Sequence, residues 1–181
     1  LNWQPGDNVV LPRFEFASNR LPWLAQAGQG VEVREVDIRA SEDAEAALLE
    51  SMDANTRVLA VSAVQWSDGF RLDLQRLGEA CHRRQVLFCV DAIQQLGALA
   101  MDVEAMRIDF LAADAHKWLL GPEGIALFYS RDAAREQLAL RQQGWHMFDV
   151  PWPFDRDDWP PAAPARRWEA GSPSSAGLAA M

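Results

Sequence analysis

Lys117 stands between a histidine and a tryptophan in "ADAHKWLLGPEG" (residues 113–124), after an apolar stretch and just before a glycine-proline turn. A lysine normally lies in water; one directed into a pocket is an amine nucleophile instead. Asp91 closes the apolar run "VLFCVD" (86–91). A carboxylate at that point is costly unless it meets a cation or several donors. Each residue alone has an ordinary explanation. Asp91 can cap the turn "AIQQLG", and Lys117 can be a surface lysine at a strand end.

Taken together, the pair suits one chemistry. A lysine that forms a Schiff base and an acid that keeps a ring nitrogen protonated are the minimum equipment for pyridoxal phosphate, whose ring then accepts carbanion electrons. Gln94, three residues beyond Asp91, can reach the ring's phenolic oxygen, or can be an exposed turn glutamine. His116 can donate to the phosphate or lie on the ring, or can be a packing histidine.

These residues need a frame that brings them to one edge. The sequence predicts strands over "NVVLP" (8–12), "VEVREVDI" (31–38), "RVLAVSAV" (57–64), "VLFCVD" (86–91), "DFLAADA" (109–115) and "GIALFYS" (124–130). Between them, "SNRLPWLAQAGQG" supplies an N-cap, a helical stretch and a glycine stop, and Ser41–Met52 and Asp73–Arg84 read as amphipathic helices. A further helix is expected up to about Arg141. Apolar strands alternating with such helices imply an α/β fold, a mostly parallel sheet with helices on both faces. Ligands of such sheets sit outside the carboxyl ends of the strands, where Asp91, Lys117 and the "QWSDG" turn (65–69) fall. Residues 144–165, rich in Pro, Trp and Asp, are expected to be an irregular loop.

The stretch "VDAIQQLGALAMDVEAMRIDFLAADAHKWLLGPEGIALFYS" resembles the core of the class V aminotransferase family, which includes cysteine desulfurases and selenocysteine lyases. The Asp-x-x-Gln and His-Lys-Trp-Leu-x-Gly-Pro-x-Gly elements agree in order, spacing and strand context. Asn19, Pro22 and Trp23 match the family's Asn-x-x-Pro-Trp helix start, and "RRWEAGSPSSAG" (166–177) is similar to its Arg-Phe-Glu-x-Gly-Thr-Pro stretch.

The resemblance implies the large domain of a fold-type I pyridoxal-phosphate enzyme acting on an amino acid, with Lys117 as the Schiff-base lysine. Transamination and desulfurase-like elimination both remain open. Asp91, Gln94 and His116 become cofactor contacts, and Phe16 takes the place of the histidine that stacks on the ring. Phe16 can stack but cannot move a proton. Ser172 would reach the phosphate bound by the neighbouring subunit, so a homodimer with shared active sites is implied; an N-cap role is compatible with its position too. Residues 1–143 would form the central part of the large domain, and 166–181 its end, leading to a smaller domain beyond the chain. That domain would carry the substrate-carboxylate arginine and, in desulfurases, the catalytic cysteine. The 181 residues alone are therefore expected to be inactive.

Two departures stand out. Trp66 occupies the place of a Ser-Asn turn residue, and Asp114 that of a small hydroxyl donor to the phosphate. A carboxylate there would repel the dianion, so Asp114 must turn away or be shielded. With Phe16, these changes also leave room for a protein that binds the cofactor without catalysis, as a regulatory or assembly subunit. An α/β domain with a merely exposed lysine is the third reading.

Composition narrows the field. The net charge of -9 and the absence of a basic run argue against nucleic acid. Cys81 and Cys89 lack CxxC spacing and histidine neighbours, so no metal site is expected, and they read as core thiols of a reducing compartment. The N-terminal stretch carries neither a signal-like run nor a span, which makes a cytoplasmic protein the expectation, with no membrane partner.

Overall fold

The structure is a computed structural model that describes residues 1–149 and 160–181. Six strands, β1 (Asn8–Pro12), β2 (Glu32–Val36), β3 (Thr56–Ser62), β4 (Leu87–Asp91), β5 (Phe110–Asp114) and β6 (Ala126–Ser130), form one sheet in the order β2-β1-β3-β4-β5-β6. The first five strands are parallel and β6 runs antiparallel to β5. The helices are α1 (Ala17–Leu24), α2 (Ala44–Glu50), α3 (Leu74–Arg84), α4 (Asp132–Arg135) and α5 (Ser175–Ala180).

Alternation along the strands sends apolar side chains to both faces. Val10, Leu59, Val61, Phe88, Val90 and Leu111 meet Leu48 of α2 and Leu74 and Leu77 of α3. On the other face, Val9, Leu11, Val58, Ala60, Leu87 and Phe110 meet Trp23 of α1 and Ala134 of α4. The chain moves outward from β1 to β2 through α1, and returns through α2 and α3 on the opposite face. Such connections place a topological switch between β1 and β3. The register levels Ser62 with Asp91 and Asp91 with Ala112, so the tips of β3, β4 and β5 share one edge.

Local signals account for most element ends. The Asp43 and Asp73 carboxylates accept from Ala46 N and Arg76 N and start α2 and α3. Gly30, at φ 79°, ends the short 3-10 turn after α1. Most boundaries shift by one to three residues, α2 to Ala44–Glu50 among them, and three differences have a visible cause. The N-cap position of α1 falls on Phe16, without a side-chain cap. Strand β2 stops at Val36 because Asp37 accepts from Arg39 N and opens a 3-10 turn. Helix α4 is a single turn, well short of Arg141. Its own hydrogen bonds are too few to sustain a helix, and it is pinned by buried Ala134 and by Arg135, which donates to the Ser130 carbonyl and to Asp132.

Of the expected irregular stretch 144–165, residues 150–159 lie outside the described residues. The rest holds 3-10 turns at Trp145–Met147 and Ala165–Trp168 and a bridge between Phe148 and Pro161. Among the described residues, no helix is long and apolar enough to cross a membrane, and no group of three His, Cys, Asp or Glu is placed to hold a metal ion.

Candidate active site

The carboxyl edge of the sheet gathers four loops, those after β1, β3, β4 and β5. The loop after β5 is the hairpin to β6, closed by Ala115 N donating to Ile125 O at 2.9 Å, and it holds Lys117. The loop after β4 begins at Asp91 and is held against that hairpin. Gly97 sits at φ 94°, and a Cβ there would lie 2.4 Å from the Trp118 carbonyl oxygen, so only glycine permits the approach. Trp118 Nε1 also donates to Gln94 Oε1 at 3.3 Å.

Asp91 does cap its turn, since Oδ1 accepts from Ile93 N at 3.0 Å. Its other oxygen has no donor among the described residues. Side chains at alternate positions share a face, and Cys89, Asp91, Ala112 and Asp114 line a cavity of about 230 Å³ with Phe16 and Asn19. Small Ala112, exposed because no helix covers the strand tips, leaves this opening. Burial pushes the Asp91 carboxyl above its ordinary range; the Ile93 hydrogen bond opposes the shift, Glu15 adds to it, Lys117 opposes it and Asp114 adds to it. A larger cavity lies at the opposite edge, lined by His82, Glu104 and Arg131, away from these groups.

Lys117 is half-buried, with Nζ 5.9 Å from the centre of the Phe16 ring. No carboxylate pairs with it among the described residues. Phe16 is 43% exposed, lines the cavity, and meets Trp66 edge to face at 5.8 Å between centroids. Trp66 is anchored through Nε1 to the Phe14 carbonyl at 3.0 Å. Lys117, Asp91 and Phe16 thus come together, while Gln94, on the turn after Asp91, is engaged with Trp118.

His116 is exposed, with Nδ1 3.9 Å from Asp114 Oδ2. Asp114 lines the cavity wall with its side chain 55% exposed. Ser172 is exposed on the segment leading to α5, and the capping role belongs to Ser174, whose Oγ accepts from Gly177 N at 3.2 Å. Burial pushes the thiols of Cys81 and Cys89 up to about 12, so both stay protonated at neutral pH.

The residue that sequence reasoning missed is Glu15. Its carboxylate is 5% exposed and accepts from Ser62 N, Ser62 Oγ, Gln65 Nε2 and Asn19 Nδ2. A lone glutamate in the connection "PRFEFASN" looks solvated; the signal was its place between two aromatics just past a strand end.

Fold and site together define a doubly wound α/β protein whose carboxyl-edge cleft joins an unpaired amine, an underused acid and an aromatic face. The whole chain, residues 1–181, matches the family described as Aminotransferase class-V, and it belongs to that family. It is similar to a probable cysteine desulfurase of Methanothermobacter thermautotrophicus, 33% identical over 98% of this chain and 44% of the relative. Among solved structures it resembles the cystine C-S lyase C-DES in complex with its reaction product cysteine persulfide, with TM-score 0.86, 26% identity, and coverage of 96% of this chain and 47% of that one. A C-DES mutant with glycine covalently linked to its PLP cofactor gives TM-score 0.84 at 25% identity, over 96% of this chain and 46% of that one. The chain therefore spans less than half the length of the relatives it matches.

Proposed function

We propose that this chain belongs to a pyridoxal-phosphate-dependent enzyme acting on an amino acid, with Lys117 as the residue that carries the cofactor. The observation behind this is the joint placement of Lys117, without a carboxylate partner, and Asp91, with one oxygen unclaimed, at one sheet edge beside a cavity. That donor set fits the cofactor. Asp91 offers an anion to a protonated ring nitrogen, Phe16 offers a ring face, and Gln94 lies on the adjoining turn. When bound, pyridoxal phosphate supplies an electron sink for charge that develops at the substrate's α-carbon.

The chain's own groups then divide the work. Asp91 holds the ring nitrogen's proton in place. Lys117 would hold the cofactor through its amine and, when free, would take and return the substrate's α proton as a general base. Phe16 excludes water from one side of the ring without exchanging protons. Cys81 and Cys89, buried or half-buried and protonated, are not the nucleophile a persulfide-forming step needs. Transamination and desulfurase-like elimination both fit these residues.

The same reading takes residues 1–143 as the central part of the large domain and makes the enzyme a cytoplasmic homodimer. Ser172, exposed and free of the capping role that Ser174 fills, would serve the phosphate of the partner's site. The test is twofold. Adding pyridoxal phosphate to the full-length protein should produce a visible absorption band, and an amino-acid panel should then show turnover. No band would refute cofactor binding, and a band without turnover of any amino acid would refute the enzyme. Mixing Lys117→Ala with Ser172→Trp protein should partly restore activity where sites are shared, and no restoration would point to unshared sites.

A further inference from the structure

We propose that Glu15 is a positioning residue of this site, a buried carboxylate that ties the loop after β1 to the loop after β3 and sets a second negative charge beside Asp91. The proposal rests on the cofactor reading for its function, but its geometry stands independently. Glu15 lies at the switch between β1 and β3, where the sheet's ligand edge opens. Its neighbours Phe14 and Phe16 face outward, 40% and 43% exposed, while Glu15 turns inward.

Every contact it makes is with a neutral donor. Oε1 accepts from Ser62 N at 2.6 Å and Gln65 Nε2 at 2.9 Å; Oε2 accepts from Ser62 Oγ at 2.5 Å and Asn19 Nδ2 at 3.1 Å. Ser62, Gln65 and Asn19 are themselves buried. Four donors converging on one side chain suit an ionised carboxyl, which can only accept. No cation pairs with it among the described residues, so its charge is solvated by the protein rather than cancelled.

Two consequences follow. The hub fixes Phe16, which lines the cavity, and Trp66, which packs against Phe16, because Phe16 adjoins Glu15 in sequence and Trp66 adjoins Gln65. It also acts on Asp91. Ser62, which Glu15 grips, is paired in register with Asp91, and the charged groups that bear on Asp91 are Glu15, Lys117 and Asp114, so the set holds three carboxylates to one lysine amine. A floor with that excess of negative charge favours a ring that carries a proton, which is the form Asp91 must hold.

The test separates charge from shape. Glu15→Gln keeps the acceptor for Ser62 N and Gln65, while its amide donors can face Ser62 Oγ and a turned Asn19 amide. In the cofactor-free protein its melting temperature should change little, yet the Asp91 carboxyl, followed by carbon NMR, should titrate at lower pH than in the parent. Its pyridoxal phosphate dissociation constant should rise roughly threefold. Glu15→Ala strands buried donors as well, and its dissociation constant should rise by about tenfold or more. An Asp91 titration that is the same in Glu15→Gln and the parent would overturn the electrostatic role, and unchanged cofactor affinity in both variants would overturn the positioning role. If the parent protein binds no pyridoxal phosphate, the cofactor reading fails, while the Asp91 titration still decides the charge effect of Glu15.

Discussion

Paired charged groups at the amino edge of the sheet stand against the Asp91–Lys117 group, left short of partners, at the carboxyl edge. At the amino edge Asp53, Asp7 and Asp109 are matched. Asp53 accepts from Asn8 Nδ2 at 2.8 Å and Asn55 N at 2.9 Å and pairs with Arg34 at 2.7 Å. Asp7 pairs with Arg57 at 2.9 Å, and Asp109 accepts from Phe88 N at 2.9 Å and from Arg131 Nε at 2.6 Å. At the carboxyl edge, among the described residues, Asp91 has one donor and Lys117 no paired carboxylate, and Phe16, Trp66 and Trp118 stand 43–53% exposed. Satisfied groups stabilise the fold, whereas groups kept short of partners are held ready for a ligand.

The pKa directions restate the contrast. Hydrogen bonding from Asn8, followed by the bond from Arg34, holds the Asp53 carboxyl down at about 2. A depressed folded value means that its stabilisation is present at neutral pH and is lost only as pH falls toward 2. Asp91 is shifted upward, so its ionisation destabilises the cofactor-free protein as pH rises through its folded value. One edge is tuned for stability at neutral pH, and the other gives some up.

The comparison can be broken most severely at Lys117. Lys117→Ala should lower kcat by at least about a thousandfold with little change in melting temperature, since the amine has no ion pair to lose. Asp91→Asn should lower kcat by about a hundredfold yet raise the melting temperature of the cofactor-free protein at pH 7, by roughly 2–4 °C per kcal/mol gained. That gain should shrink as pH is lowered. Equal melting temperatures at every pH would deny that Asp91 is held at a cost.

The amino edge should respond inversely. Asp109→Ala leaves Phe88 N without its acceptor and should cost about 1–3 kcal/mol by denaturant unfolding, while the cofactor's dissociation constant stays as in the parent. Loss of both would show that the edges are not independent. The smallest effect belongs to Phe16→Ala. Stacking contributes about 0.5–1.5 kcal/mol beyond burial, so cofactor retention measured by dialysis should fall roughly two- to tenfold.

Much of this was legible in the residues. Most strands are continuous apolar runs ended by Asp91 or by turn signals, and burial on both faces, complete in β1 and nearly so in β3, follows from them directly. Lys117 and Asp91 were readable because each violates its surroundings. What escaped was cooperative. Glu15 looks solvated until Ser62 and Gln65, distant in sequence, are folded onto it. Likewise, α4 stops after one turn because tertiary contacts rather than propensity define it. The antiparallel sense of β6 also escaped, although the short hairpin through Lys117 accommodates only that direction.

The central claim is that Lys117 carries the cofactor. Borohydride reduction of the protein incubated with pyridoxal phosphate, followed by peptide mass mapping, tests it most directly. The account predicts a reduced adduct on the peptide containing Lys117 and none on Lys117→Ala protein; an adduct that persists in that variant, or one confined to another residue, would contradict it.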